Sequence, residues 1–211
     1  MTPMTYTDMT LSDLLDAFAS NEPVPGGGSA AALAGALGTS LLLMVAGLPT
    51  TRTGTPEEAA DLAEASARLR PIRDALTSLI QDDSDAYAAV LAARRLPKGT
   101  DEEKQQRRTA IDRAMHQATE VPLETMRYSQ QALRGATVIA ANGNRNAATD
   151  TATGAGLLLS ALRSAGLNVD VNIGSVSDSA FTSRVAEERR QLAADGEADA
   201  RTAMNLSLPE T

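Results

Sequence analysis

Asp83 is the residue whose position invites a chemical reading. Leu62, Leu69, Leu76, Asp83 and Val90 fall seven residues apart, and Ala65, Ile72, Leu79 and Ala86 fill the companion row. A carboxylate therefore occupies a place that the helical period assigns to the apolar face. Asp82 and Asp85 project onto other faces, toward solvent. Two readings of Asp83 stand side by side: a buried cap or change of face near a bend, and a general acid/base whose pKa is raised by apolar surroundings. Tyr87, one turn on, is placed either to wall or hydrogen-bond the same pocket or to fill core. A second candidate is the run from Pro23 to Leu48, PVPGGGSAAALAGALGTSLLLMVAGL. Gly26, Gly27 and Gly28 accept backbone angles closed to other residues, and Ser29 is suited to cap the helix that follows. The free N–H groups of such a first turn, with the positive end of the helix dipole, offer a seat for an anion; the plainer alternative is a turn only.

These residues need helices to position them, and the composition supplies little else. The 211 residues carry three Tyr, two Phe and no Trp. The core is thus built from Ala, Leu, Val, Ile and Met, material that favours closely approaching helices over sheets. No break in composition divides the chain, so one domain spanning 1–211, with its core at about 11–205, is expected. A formal charge of −8 disfavours nonspecific binding to nucleic acid or an anionic membrane, and an anionic ligand would need a local positive site. The absence of cysteine excludes thiol chemistry and thiolate metal sites and accords with a reducing, cytoplasmic setting. MTPMTYTDMT lacks the regions of a signal peptide. No residue from Pro23 through Thr51 is charged, yet the interrupting glycines and hydroxyls and the missing basic flank favour a buried central helix over a membrane span.

In chain order, Thr10 with Asp13 caps a short helix from Leu11 to about Ser20. Thr55-Pro56-Glu57-Glu58 is a strong helix start, with Pro71 a place for a kink or a split. Leu96-Pro97-Lys98-Gly99 ends that helix, and Thr100 with Glu103 opens another that passes Pro122. His116 lies beside the apolar stripe and reads as a surface residue; with no second histidine, a histidine-based metal site is not expected. Ala141 to Asp150 is a polar turn before an Ala, Gly and Leu-rich helix that ends near Gly166. Leu167 to Ile173 alternates like a strand, but a strand without a partner points instead to helix or extended connector. Asp178 caps the last helix, and Leu206 to Thr211 reads as a tail. No P-loop, dinucleotide fingerprint, serine elbow or metal-ligand spacing is present.

Taken together, PVPGGGSAAALAGALG, LIQDDSDAYAAVLAARRLPK, VPLE, GNRNAATD and LNVDVNI followed by Asp178 resemble the cyclodeaminase/cyclohydrolase family. That family includes the C-terminal domain of formiminotransferase-cyclodeaminase and stand-alone methenyltetrahydrofolate cyclohydrolases. The resemblance covers about residues 11–185 and implies an all-α, single-domain helical bundle around a buried Ala/Gly-rich central helix, usually dimeric. It implies that Asp83 is the catalytic aspartate and that Gly26 to Ser29 are part of the folate pocket wall. It makes Lys98, Asn144, Asn146 and Asp150 candidates for contacts or pocket architecture, alongside Tyr87. Many members carry a basic segment after the central helix, where this chain has Pro49 to Gly54 with Arg52 as its one charge. The implied reaction is hydrolysis of 5,10-methenyltetrahydrofolate to 10-formyltetrahydrofolate, placed ahead of formiminotetrahydrofolate cyclodeamination because no formiminotransferase domain accompanies the chain. A noncatalytic folate-binding or scaffold protein is a further alternative. Neither reaction calls for a metal or a redox cofactor, and the implied partners are a folate and a second copy of the chain.

Overall fold

The computed structural model describes residues 5–208. After a single 3-10 turn at Tyr6–Asp8 come α1 (Leu11–Ala19), α2 (Gly27–Ala46), α3 (Pro56–Arg94) and α4 (Asp101–Asn142). A second such turn at Arg145–Ala147 leads into α5 (Ala148–Ile173) and α6 (Ser179–Ser207). The helix starts obey local chemistry. Thr55 accepts from the Glu58 N–H while the Glu58 side chain returns the bond, Thr100 and Glu103 do the same, and Asp178 accepts from the N–H groups of Ala180 and Phe181. No strand occurs among the described residues.

Helices α2, α3, α4 and α5 form a four-membered ring, and α6 lies across α4 and α5. The core they share is aliphatic: Leu42, Leu69, Leu76, Leu133, Leu158 and Leu162 are almost wholly buried. Small residues let the helices close up. A Cβ on Gly38 would lie 2.7 Å from the Gly154 carbonyl oxygen, so α2 and α5 touch backbone to backbone. Both rows of the α3 heptad are buried as the spacing predicts, apart from Asp83, which is half-buried.

Helix α2 has 20 residues, whereas α3 has 39 and α4 has 42. At 1.5 Å per residue α2 spans about 30 Å and the other two roughly twice that. The C-terminal part of α3 and the N-terminal part of α4 therefore project past the start of α2 and the end of α5. Their overhang has its own small core of Val90, Ala93, Ala114 and Met115. The step between the overhang and the ring is where a cavity forms.

Several expectations are corrected. Pro71 does not split α3, because burial of the flanking Leu69 and Ile72 outweighs one missing backbone bond, while α4 passes Pro122 as expected. Helix α5 does not end near Gly166 but runs to Ile173 with Val169 fully buried; the alternation of Leu167 to Ile173 coincides with helical burial. The expected tail begins later, since α6 continues through Leu206 and a buried Ser207; its last three residues lie outside those described. His116 is half-buried rather than on the surface, stacked on Phe181 with ring centroids 4.1 Å apart. The central helix is only half buried: it has the length and hydropathy of a membrane span, but 50% of its apolar window faces the bundle.

Candidate active site

Asp83 meets the first turn of α2. The Ser29 N–H donates to Asp83 Oδ2 at 2.9 Å, the Ser29 hydroxyl reaches the same oxygen at 3.1 Å, and the Ser84 hydroxyl stands 3.2 Å from that of Ser29. The helix begins at Gly27 with Gly26 as its cap, so Ser29 is inside the first turn and does not cap it. At this helix start it is the protein's own carboxylate, Asp83, that accepts a first-turn N–H. Gly28 permits that approach: a Cβ there would lie 2.0 Å from Asp83 Oδ1. Burial pushes the Asp83 pKa above the ordinary carboxylate value, and the two Ser29 hydrogen bonds partly oppose the rise. Among the described residues Oδ1 accepts no hydrogen bond, which leaves it free to handle a proton.

The cavity at the step has a volume of about 330 Å³. Gly26 to Gly28 form one wall. Residues 83, 87, 90, 91 and 94 of α3 form a second, Met115 and Ala118 of α4 a third, and Asn168, Val171 and Asn172 of α5 the fourth. Tyr87 lines the lip, 41% exposed. The Asn172 amide nitrogen donates to the Ala118 carbonyl at 2.6 Å and that of Asn168 to the Ser164 carbonyl at 2.9 Å, fixing both side chains. Each amide oxygen is left to accept from a ligand. Among the described residues no three His, Asp or Glu side chains converge as metal ligands would.

The remaining candidates lie elsewhere. Lys98 is exposed beyond the end of α3 and does not line the cavity. Asn144 caps the turn at Arg145–Ala147 through the Asn146 N–H. With Asn146 and Asp150 it stands at the start of α5, roughly 30 Å from Asn168 along that helix. Within one chain these three shape a turn rather than the Asp83 cavity. Arg52 is at the same far end, donating to the Ala140 carbonyl at 2.8 Å. Sequence reasoning passed over Arg94, Asn168 and Asn172 as site residues. Arg94 was legible as the continuation of the 83, 87, 90 face. The asparagines, spaced four apart, became a pair only once α5 was helical to its end. A wider groove of about 990 Å³ runs between α3, α4 and α6, but its acids Asp61 and Glu64 are exposed, so the carboxylate suited to proton transfer is the one in the smaller cavity.

Residues 10–191 match the family model described as formiminotransferase-cyclodeaminase. The chain is 39% identical over 186 residues to the methenyltetrahydrofolate cyclohydrolase of Methylorubrum extorquens, covering 88% of this chain and 89% of that protein. It is 30% identical over 174 residues to the formimidoyltransferase-cyclodeaminase of Rattus norvegicus, covering 82% of this chain but 32% of that longer protein. Its fold matches the crystal structure of formiminotetrahydrofolate cyclodeaminase from Thermotoga maritima with a TM-score of 0.84, at 24% identity, over 95% of this chain and 96% of that one.

Proposed function

The chain belongs to the formiminotransferase-cyclodeaminase family, and from that premise we propose that its Asp83 cavity hydrolyses 5,10-methenyltetrahydrofolate to 10-formyltetrahydrofolate. The observation that carries the reading is Asp83 itself: a half-buried carboxylate of raised pKa, held by Ser29 on one oxygen, with the other free in a cavity.

The substrate's one-carbon bridge is an amidinium cation between two nitrogens. Water attacks that carbon as Asp83 takes one of its protons. The tetrahedral adduct then collapses: its hydroxyl loses a proton to solvent and becomes the formyl oxygen, the bond to the N5 nitrogen breaks, and Asp83 returns its proton to N5. The carboxylate thus acts first as base and then as acid, so a pKa shifted toward neutrality serves both steps. Facing a cationic bridge, the ionised form is also favoured electrostatically.

The 39% identical cyclohydrolase, matched over nearly its full length, supports hydrolysis ahead of cyclodeamination. In the second reaction, which the 30% identical relatives favour, a folate nitrogen attacks the formimino carbon and the same carboxyl group protonates the departing ammonia. The reading further assigns a cytoplasmic homodimer without nucleic-acid or membrane partners. Its interface would be the outer face of α2 and α5, where Leu37 is 53%, Met44 42%, Leu167 64% and Val171 74% exposed and no charge occurs from Pro23 through Thr51.

The test is turnover of both folates by one preparation, with Asp83→Asn alongside. The variant is expected to fold and to lose roughly a hundred- to ten-thousandfold in kcat. Wild-type rates in that variant would remove Asp83 from the mechanism, and a wild-type protein that binds folate but turns over neither substrate would be a binding protein.

A further inference from the structure

Two charged side chains line the cavity, Asp83 and Arg94. They share one face of α3, three turns apart, about 16 Å along the axis. Arginine in a helix leans back toward the N-terminus, which shortens the gap to about the length of a benzoyl-amide arm. The wall between them is apolar, made of Val90 and Leu91 of α3 with Met115 and Ala118 opposite.

Several arginines elsewhere are engaged: Arg127, Arg163, Arg184 and Arg189 pair with carboxylates. The Arg94 guanidinium makes no ion pair or hydrogen bond among the described residues. Its backbone carbonyl instead accepts two bonds from the Arg107 guanidinium, at 3.2 and 3.0 Å. That contact pins the last turn of α3 and sets a cation against the negative end of the helix, which would otherwise repel an incoming anion. The other basic candidates are out of place, since Lys98 is off the wall and Arg52 lies at the far end of the bundle.

We propose that Arg94 binds a carboxylate of the folate's glutamate arm, laying the aromatic ring along the apolar wall and bringing the one-carbon bridge to Asp83. This assignment rests on the folate reading above. The guanidinium fork offers paired donors to a carboxylate, and Arg94 supplies the local positive site that a chain of net charge −8 otherwise lacks in the cavity.

The experiment compares wild type, Arg94→Gln and Arg94→Lys on intact methenyltetrahydrofolate and on the corresponding pteroate, which lacks the glutamate. With the intact substrate, R94Q is expected to raise KM by about ten- to a hundredfold with kcat near wild type, and R94K by an intermediate factor. With the pteroate, wild type and R94Q should be indistinguishable. A KM for R94Q within twofold of wild type, or an equal loss on both substrates, overturns the assignment while leaving the reaction intact. If wild type turns over neither folate, titration of intact folate against wild type and R94Q decides: binding weakened by R94Q upholds the contact and rejects the reaction, and equal or absent binding rejects the contact as well. Arg94 is exposed, so unchanged melting of R94Q is expected, and R94K answers the question should R94Q unsettle the helix end.

Discussion

Ser29 tunes Asp83 as well as holding it. Hydrogen bonds to a carboxylate favour its charged form and lower its pKa, while burial, the larger effect here, raises it. Ser29→Ala removes one of the two bonds to Oδ2 and leaves the backbone one. The charged form loses support, so the Asp83 pKa should rise further. Because catalysis starts from the ionised carboxylate, kcat/KM climbs with pH through that pKa, which burial holds above the ordinary carboxylate value. The acidic limb of the S29A profile is therefore expected at higher pH than that of wild type, with the plateau rate largely kept; coincident profiles would mean that the hydroxyl does not set the pKa. The inward direction of Asp83 was legible from its heptad position alone. Its partner was not, because a bond between residues 54 apart follows from how α3 crosses α2, and nothing in the local spacing encodes that.

At the scale of elements, the starts of α1, α3, α4 and α6 were legible because capping is a contact between residues two or three apart. The end of α5 was not. Leu167, Val169, Val171 and Ile173 satisfy a period of two by coincidence, and only packing of Val169 into the core decides for helix. Close contact between α2 and α5 matters for the site, since α2 carries the glycine wall and α5 the two asparagines. Gly38→Ala would drive a methyl into the Gly154 carbonyl, a backbone atom that yields only if the helices separate. The expected cost is about 1–3 kcal/mol, read from urea denaturation, together with a raised KM as the asparagine wall shifts. An unchanged midpoint would show that the helices can part freely.

For the molecule as a whole, the ring is closed on the side that α6 covers and open along the outer face of α2 and α5. Two adjacent helices, about 30 Å and about 39 Å long, offer a patch on the order of the ~800 Å² per partner that stable dimers bury. Leu37→Glu places a charge at the middle of that patch and is expected to convert the proposed dimer to monomer in sedimentation, whereas Leu206→Glu, on the far groove, should sediment as wild type does. A dimer in both variants would move the interface elsewhere. The sequence by itself determined an aliphatic, all-helical chain, the starts of four helices, the face of α3 and the inward carboxylate on it. All of these follow from composition, short-range capping and the 3.6-residue period. The tertiary structure alone decided that Asp83 meets Ser29 at the start of α2. It also decided that Asn168 and Asn172 share its cavity while Asn144, Asn146 and Asp150 do not. The reason is length: α3 and α4 outrun α2 and α5, and the step this leaves is set by where long helices cross, which no local pattern records.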